Sequence, residues 1–122
     1  GMARDKKGLE DAVDLIEKMK QDFWTHIKVT GKDTDFNQTL EKAGRVADFI
    51  ELGHLMCIDA LDREESCGAH ARLEYLAESG DAMRDDNNYG YVAAWEFNES
   101  SPKLHKEELN FEFIKPTYRD YK

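Results

Sequence analysis

Residues 46–61 constrain this chain more than any other stretch. Val46, Ala47, Phe49, Ile50, Leu52, Leu55, Met56, Cys57, Ile58, Ala60 and Leu61 are apolar. Asp48, Glu51, Asp59 and Asp62 fall on one narrow strip of the same helix. A helix apolar over so much of its girth needs neighbours on more than one side. The expected helix runs from about residue 37 to about residue 65. Gly44 and Gly53 lie inside it, each at a cost of about 1 kcal/mol relative to Ala.

One neighbour is legible upstream. Leu9, Ala12, Val13, Ile16, Met19, Phe23 and Ile27 recur at three- and four-residue steps over about residues 5–28, a single apolar stripe. Asp5 is the expected N-cap, and Val29 to Asp33 ends the helix, with Gly31 free to take positive φ. Asp33, Asp35 or Asn37 caps the second helix, and Gln38 three after Asp35 resembles a capping box. The first helix covers only one side of the second. The other side needs the C-terminal part or a partner.

Beyond Arg72 the helical period fades. Tyr75–Ala77 reads as a helical turn and residues 78–88 as a loop. Tyr89 to Phe97 reads as a strand. Leu109, Phe111 and Phe113 alternate with Asn110 and Glu112, which predicts a half-buried second strand. The expected fold is mainly α: an antiparallel helical bundle of two long helices, then a β-hairpin over about residues 89–114 and a tail.

Composition narrows the function. The chain has 122 residues, 17 basic and 26 acidic, for a net charge of −9. That argues against a nucleic-acid partner, which needs clustered Lys and Arg, and against docking on an anionic membrane by charge. No apolar run approaches the ~20 residues of a membrane span, and residues 1–6 carry no apolar signal region. Gly1 ahead of Met2 reads as the scar of a cleaved tag, making residues 3–122 the domain, a piece of a longer protein. Cys57 and Cys67 would lie about 15 Å apart along a continuous helix, too far for a disulfide, which favours reduced thiols and a cytoplasmic setting.

Two ligand-like pairs, His54-x-x-Cys57 and Cys67-x-x-His70, have the i, i+3 spacing at which a helix can chelate zinc. The first sits in the most apolar stretch, where a free Cys is commonly a small core hydrophobe. Ser66 or Cys67 with His70 suggests a nucleophile and base, without oxyanion donors or an orienting third group. No glycine arrangement gives a dinucleotide or phosphate loop. The residues therefore predict no catalytic, cofactor-binding or metal site.

The run Ala60-Leu61-Asp62-Arg63-Glu64-Glu65-Ser66-Cys67-Gly68-Ala69-His70-Ala71-Arg72 resembles the "ALxREESRGAHxR" segment of succinate dehydrogenase/fumarate reductase flavoprotein subunits. Leu40 to Ala43 and Phe49 to Gly53 resemble the helix preceding it. Arg4 with Gly8-Leu9 resembles the start of another family helix. Leu104 to Leu109 and Tyr118 to Lys122 resemble the C-terminus of the bacterial branch with a di-haem cytochrome b partner. Cys67 stands where most members have Arg.

The resemblance implies the C-terminal domain of a longer FAD-dependent oxidoreductase, two helices of a three-helix, spectrin-repeat-like unit. The flavin fold and the catalytic Arg would lie upstream, so the fragment itself carries neither catalysis nor cofactor. The implied partners are the flavin-binding domain of the same subunit, an iron–sulfur subunit and a membrane cytochrome b anchor. The implied setting is the cytoplasmic side of a membrane to which the complex is peripherally attached. Arg63, Glu64, Glu65, His70 and Arg72 are the expected interdomain contacts, with side chains exposed and unpaired between domains in the isolated piece. The missing helix would leave apolar surface on residues 46–61 and cause self-association. Two rival readings are a free-standing helical adaptor and a small zinc- or thiol-dependent enzyme.

Overall fold

The computed structural model describes residues 3–32, 36–98 and 101–117. The chain divides into a helical unit, residues 5–62, and a loop-and-hairpin unit formed by residues 63–122 with residues 1–4.

The helical unit is a pair of helices, α1 (Lys6–His26) and α2 (Gln38–Asp62). Asp5 caps α1, its carboxylate accepting from the Gly8 amide at 2.8 Å, as N-cap chemistry requires. The helix closes with the Ile27 amide on the Phe23 carbonyl. Gly31 takes a φ of 124°, which favours a residue without Cβ. Asn37 is the cap of α2 among the described residues: its Oδ1 accepts from the Thr39 and Leu40 amides at 3.0 and 3.1 Å. Asp33 and Asp35, and the capping box drawn from Asp35, lie outside the described residues.

The helices pack antiparallel, joined by a short connection and by Lys20 Nζ on Glu51 Oε1 at 2.6 Å. On α1 the inward stripe is Leu9, Ala12, Val13, Ile16, Lys20 and Phe23; Met19 and Ile27, expected there, are exposed. On α2 the half-buried stripe is Ala43, Ala47, Ile50, His54, Cys57 and Leu61. The second apolar face is open: Val46, Phe49, Leu52 and Met56 are exposed.

The second unit has little regular structure. It contains a 3-10 turn (Leu73–Tyr75), a one-turn helix α3 (Asp86–Tyr89) and an antiparallel pair, β1 (Tyr91–Glu96) and β2 (Lys103–Glu108). The second strand is a correction to the sequence reading. Leu109, Phe111 and Phe113 follow β2, and all three are exposed. The polar run 103–108 pairs with β1 in a register that gives Leu104, His105 and Lys106 side-chain neighbours across the hairpin. Trp95 lies opposite Leu104, and Lys106 Nζ sits 4.3 Å from the centre of the Tyr91 ring on the same face. On the other face His105 Nε2 meets Glu96 Oε2 at 2.6 Å. The first strand lies within the expected 89–97 stretch, although Tyr89 belongs to α3, and burial alternates along it with Tyr91, Ala93 and Trp95 inward.

Candidate functional site

The loop from Arg63 to Arg72 begins where α2 stops. The expected helix ran to about residue 65, but it ends at Asp62. A helical Ser66 amide would donate four residues back; here it donates to the Met83 carbonyl at 2.9 Å. The loop's own side chains supply stronger partners than another helical turn would.

Ser66 is fully buried. Its Oγ accepts from the Arg72 amide at 2.9 Å and donates to the Arg72 carbonyl at 3.1 Å. Between them, Cys67 and His70 exchange both backbone hydrogen bonds, at 2.9 and 3.0 Å. Gly68 has a φ of 58° and Ala69 has a negative φ, the pattern of a turn that favours Gly at its first central position. Cys67 and His70 are thus paired across a tight turn, where the zinc reading needed successive positions of a helix face.

The charged residues of the motif face inward and are paired. Arg63 donates from Nε and Nη2 to Glu65 Oε1 at 2.8 and 2.7 Å, and from Nη2 to the Tyr89 carbonyl at 2.9 Å. Its guanidinium lies 5.7 and 5.8 Å from the Tyr89 and Tyr91 ring centres, close enough for cation–π attraction. Glu65 is 2% exposed and its other oxygen accepts from the Asp85 amide at 2.8 Å. Arg72 is 1% exposed, donates to Glu74 at 3.2 Å and stacks 5.5 Å from the Tyr75 ring centre. Burial is the main cause that pushes the Tyr75 phenol up from its ordinary value, with the nearby Glu64 adding to it.

Burial corrects the expectation that these side chains are exposed: Glu65 and Arg72 are buried, and Arg63 and His70 half-buried. Arg63, Glu65, His70 and Arg72 satisfy one another and shape the loop; among the five expected contact residues Glu64 is the exposed one. The physical reason is that burying a charge is tolerated only with a partner, and the loop carries both signs.

His70 accepts from Arg4 Nη1 at Nδ1, 3.2 Å, and donates from Nε2 to the Arg63 carbonyl at 2.9 Å. A guanidinium only donates and a carbonyl only accepts. The partners therefore assign a neutral ring with its proton on Nε2. Both nitrogens are committed, so the ring is not placed to serve Ser66 or Cys67 as a base, or to hold a metal. Among the described residues no three His, Cys, Asp or Glu side chains group as a metal site.

In the sequence Arg4 stands out only with Gly8-Leu9 at the start of a helix, and nothing there places it with the contact residues. The Arg4 amide donates to the Ala71 carbonyl at 3.0 Å and its carbonyl accepts from the Leu73 amide at 2.8 Å. Only the folded chain brings residue 4 beside residues 70–73. Further on, Asp85 caps α3 and accepts from both the Asn88 side chain and its amide. Those bonds hold its carboxyl below the usual range, the side-chain bond first. Arg84 is paired with Asp86, which raises it further, and donates to the Thr117 carbonyl at 3.2 Å.

Two open concavities were tested as ligand sites. One, about 310 Å³, is lined by Ala77, Ala82, Met83, Arg84 and Asp86. The other, about 580 Å³, is lined by Val29, Lys32, Phe36, Leu40 and neighbours. A dinucleotide needs a strand, a glycine-rich turn and a helix N-terminus aimed at its phosphates. Neither lining has that arrangement, and the charged groups of the first are already paired. These residues do not fit FAD.

Residues 1–121 match the family described as fumarate reductase flavoprotein C-term. The chain is 27% identical over 122 residues to the fumarate reductase flavoprotein subunit of Haemophilus influenzae (strain ATCC 51907 / DSM 11121 / KW20 / Rd), across 99% of this chain and 19% of that protein. It is 26% identical to the subunit of the same name from Serratia sp. (strain ATCC 39006), and 25% to that of Proteus vulgaris, covering 20% of each. The chain spans about a fifth of the length of the curated relatives it matches.

Proposed function

This chain belongs to the fumarate reductase flavoprotein C-terminal family, and from that premise we propose that it acts as the non-catalytic brace of a FAD-dependent succinate dehydrogenase/fumarate reductase flavoprotein subunit. The observation that carries the reading is a match along the whole chain to one end of relatives five times its length. The parent subunit would interconvert succinate and fumarate and hold FAD in its upstream part. Electrons would pass to an iron–sulfur subunit and then to a membrane cytochrome b of the di-haem type. No helix among the described residues is long and apolar enough to cross a membrane, which suits peripheral attachment on the cytoplasmic side through those partners.

The internally paired loop supports a bracing role. Its backbone is held at Ser66, His70 and Arg72, and its fold does not wait for a partner, so it presents one fixed surface. Preorganised surfaces bind with less ordering cost. Arg63, Glu65, His70 and Arg72 would act by shaping that surface, and Glu64 by lying on it.

The experiment is Arg63→Ala and Arg72→Ala in the full-length subunit, with FAD content and association with the iron–sulfur subunit as readouts. Loss of both is expected. Wild-type flavin content and assembly in both variants would reject the brace.

A further inference from the structure

The loop-and-hairpin unit contains four described arginines, and three of them bring their own acid. Arg63 pairs with Glu65, Arg72 with Glu74 and Arg84 with Asp86, each time two positions on. Arg4 breaks the pattern. The residue two positions on is Lys6, and the adjacent carboxylate, Asp5, is committed as the cap of α1. Among the described residues the side-chain partner of Arg4 is His70 Nδ1 at 3.2 Å.

That partner is chemically informative. A neutral imidazole can orient a guanidinium through one N–H without cancelling its charge. Four further N–H donors remain on the fork. The backbone of Arg4 is fixed on both sides by Ala71 and Leu73, so the half-exposed group is rigidly mounted. An uncompensated cation, held in place on a chain of net charge −9, is suited to an incoming carboxylate. Arg and carboxylate form two parallel charge-assisted hydrogen bonds when the geometry allows.

We propose that Arg4 is a docking cation that receives an Asp or Glu side chain from the flavin-binding part of the same subunit, with His70 as the positioning residue that aims it. The proposal rests on the brace reading. The occupant is a segment of the same polypeptide because the matched relatives are about five times as long as this C-terminal match, and covalent linkage puts that part at high effective concentration.

The test uses the full-length subunit carrying Arg4→Lys, treated with a carbodiimide that joins an amine to a carboxylate only in direct contact. The expected product is an amide between the position-4 side chain and an Asp or Glu upstream of this domain, identified by mass spectrometry. Lys20 and Glu51, 2.6 Å apart, supply the internal positive control. Cross-links from position 4 that are absent, or confined to this domain, while the control forms, overturn the proposal. A second arm uses Arg4→Gln. In the 122-residue chain its thermal midpoint should fall only slightly, since one hydrogen bond to His70 but no ion pair is lost. In the full subunit it should speed proteolytic release of the domain about tenfold, the loss of a partly desolvated charge pair. Equal effects in both settings overturn the proposal as well. If Arg63→Ala and Arg72→Ala strip FAD while position 4 finds no upstream acid, the brace stands and the docking cation falls. If those variants keep FAD and position 4 still cross-links upstream, the brace falls and the docking contact stands.

Discussion

Ser66 and Arg72 close the loop with one hydroxyl, which accepts from the Arg72 amide and donates to the Arg72 carbonyl while fully buried. The Arg72 carbonyl has a second partner in the Tyr75 amide at 2.9 Å. Ser66→Ala removes both hydroxyl bonds from a fully buried position, and losing buried hydrogen-bond partners costs about 1–3 kcal/mol. Urea unfolding of the 122-residue chain measures it. A change below about 0.5 kcal/mol, the range of ordinary surface substitutions, would contradict the assignment.

Glu65 joins two parts of the unit that are distant in sequence, because one oxygen takes Arg63 and the other the Asp85 amide. Glu65→Ala removes both and strands a guanidinium that is one-quarter exposed. Breaking a buried pair costs about 3–5 kcal/mol, and the partial exposure of Arg63 places the expected loss at the low end. Glu65→Ala combined with Arg63→Met should recover part of it, since the stranded charge is then gone. A double variant less stable than the single one would refute this account.

How much of this was legible in the sequence depends on how local each cause is. Asp5 as a cap, Gly31 at positive φ and the two helical stripes rest on residues within a turn or two of each other. They could be read directly. The end of α2 could not, because it depends on Met83 and Asp85 reaching back to Ser66 and Glu65. The second strand was misplaced for a similar reason: alternation at Leu109–Phe113 is a local signal, whereas the register of β2 is fixed by Trp95 and Tyr91 across the hairpin. The charged motif was read as an outward surface because two of the groups that hold it inward, the Tyr89 carbonyl and the Asp85 amide, lie 20 or more positions from their partners. The resemblance placed the domain correctly without revealing that its most recognisable residues face inward.

The neutral Nε2–H ring assigned to His70 can be observed directly. Nitrogen-15 NMR of the imidazole near neutral pH should show protonated Nε2 and bare Nδ1. His70→Gln should be tolerated, because one amide can accept from Arg4 and donate to the Arg63 carbonyl. His70→Leu can do neither, and leaving that carbonyl without its donor should cost about 1 kcal/mol or more. Equal stability of the two variants would argue against the bridge.

Asp85 sets a pH dependence in a known direction. Its folded carboxyl is held below the usual range by Asn88. A depressed value means the ionised form is favoured by folding. The contribution is present above the unfolded carboxylate value and is lost as pH falls through the lower, folded one. Amide exchange at Asn88 and Tyr89 should therefore quicken on acidification below about pH 4, and Asp85→Asn should flatten that response. An Asn88 exchange rate that is the same function of pH in both proteins would remove Asp85 as its cause.

The open face of α2 leads to the last expectation. Phe49, Leu52 and Met56 stand at i, i+3 and i+7, and Phe49 is 68% exposed. Leu15 and Met19 on α1 are exposed as well. Single exposed apolar residues are ordinary, but a periodic stripe of them on one helix marks a contact surface. In the 122-residue chain the available cover is a second copy, and a two-fold pairing would apply the same stripe from both sides. Sedimentation velocity should show concentration-dependent association. Phe49→Lys with Met56→Lys should abolish it while leaving helicity intact, because neither side chain belongs to the stripe facing α1. A wild-type chain that stays monomeric at high concentration would show that the exposed stripe does not support self-association.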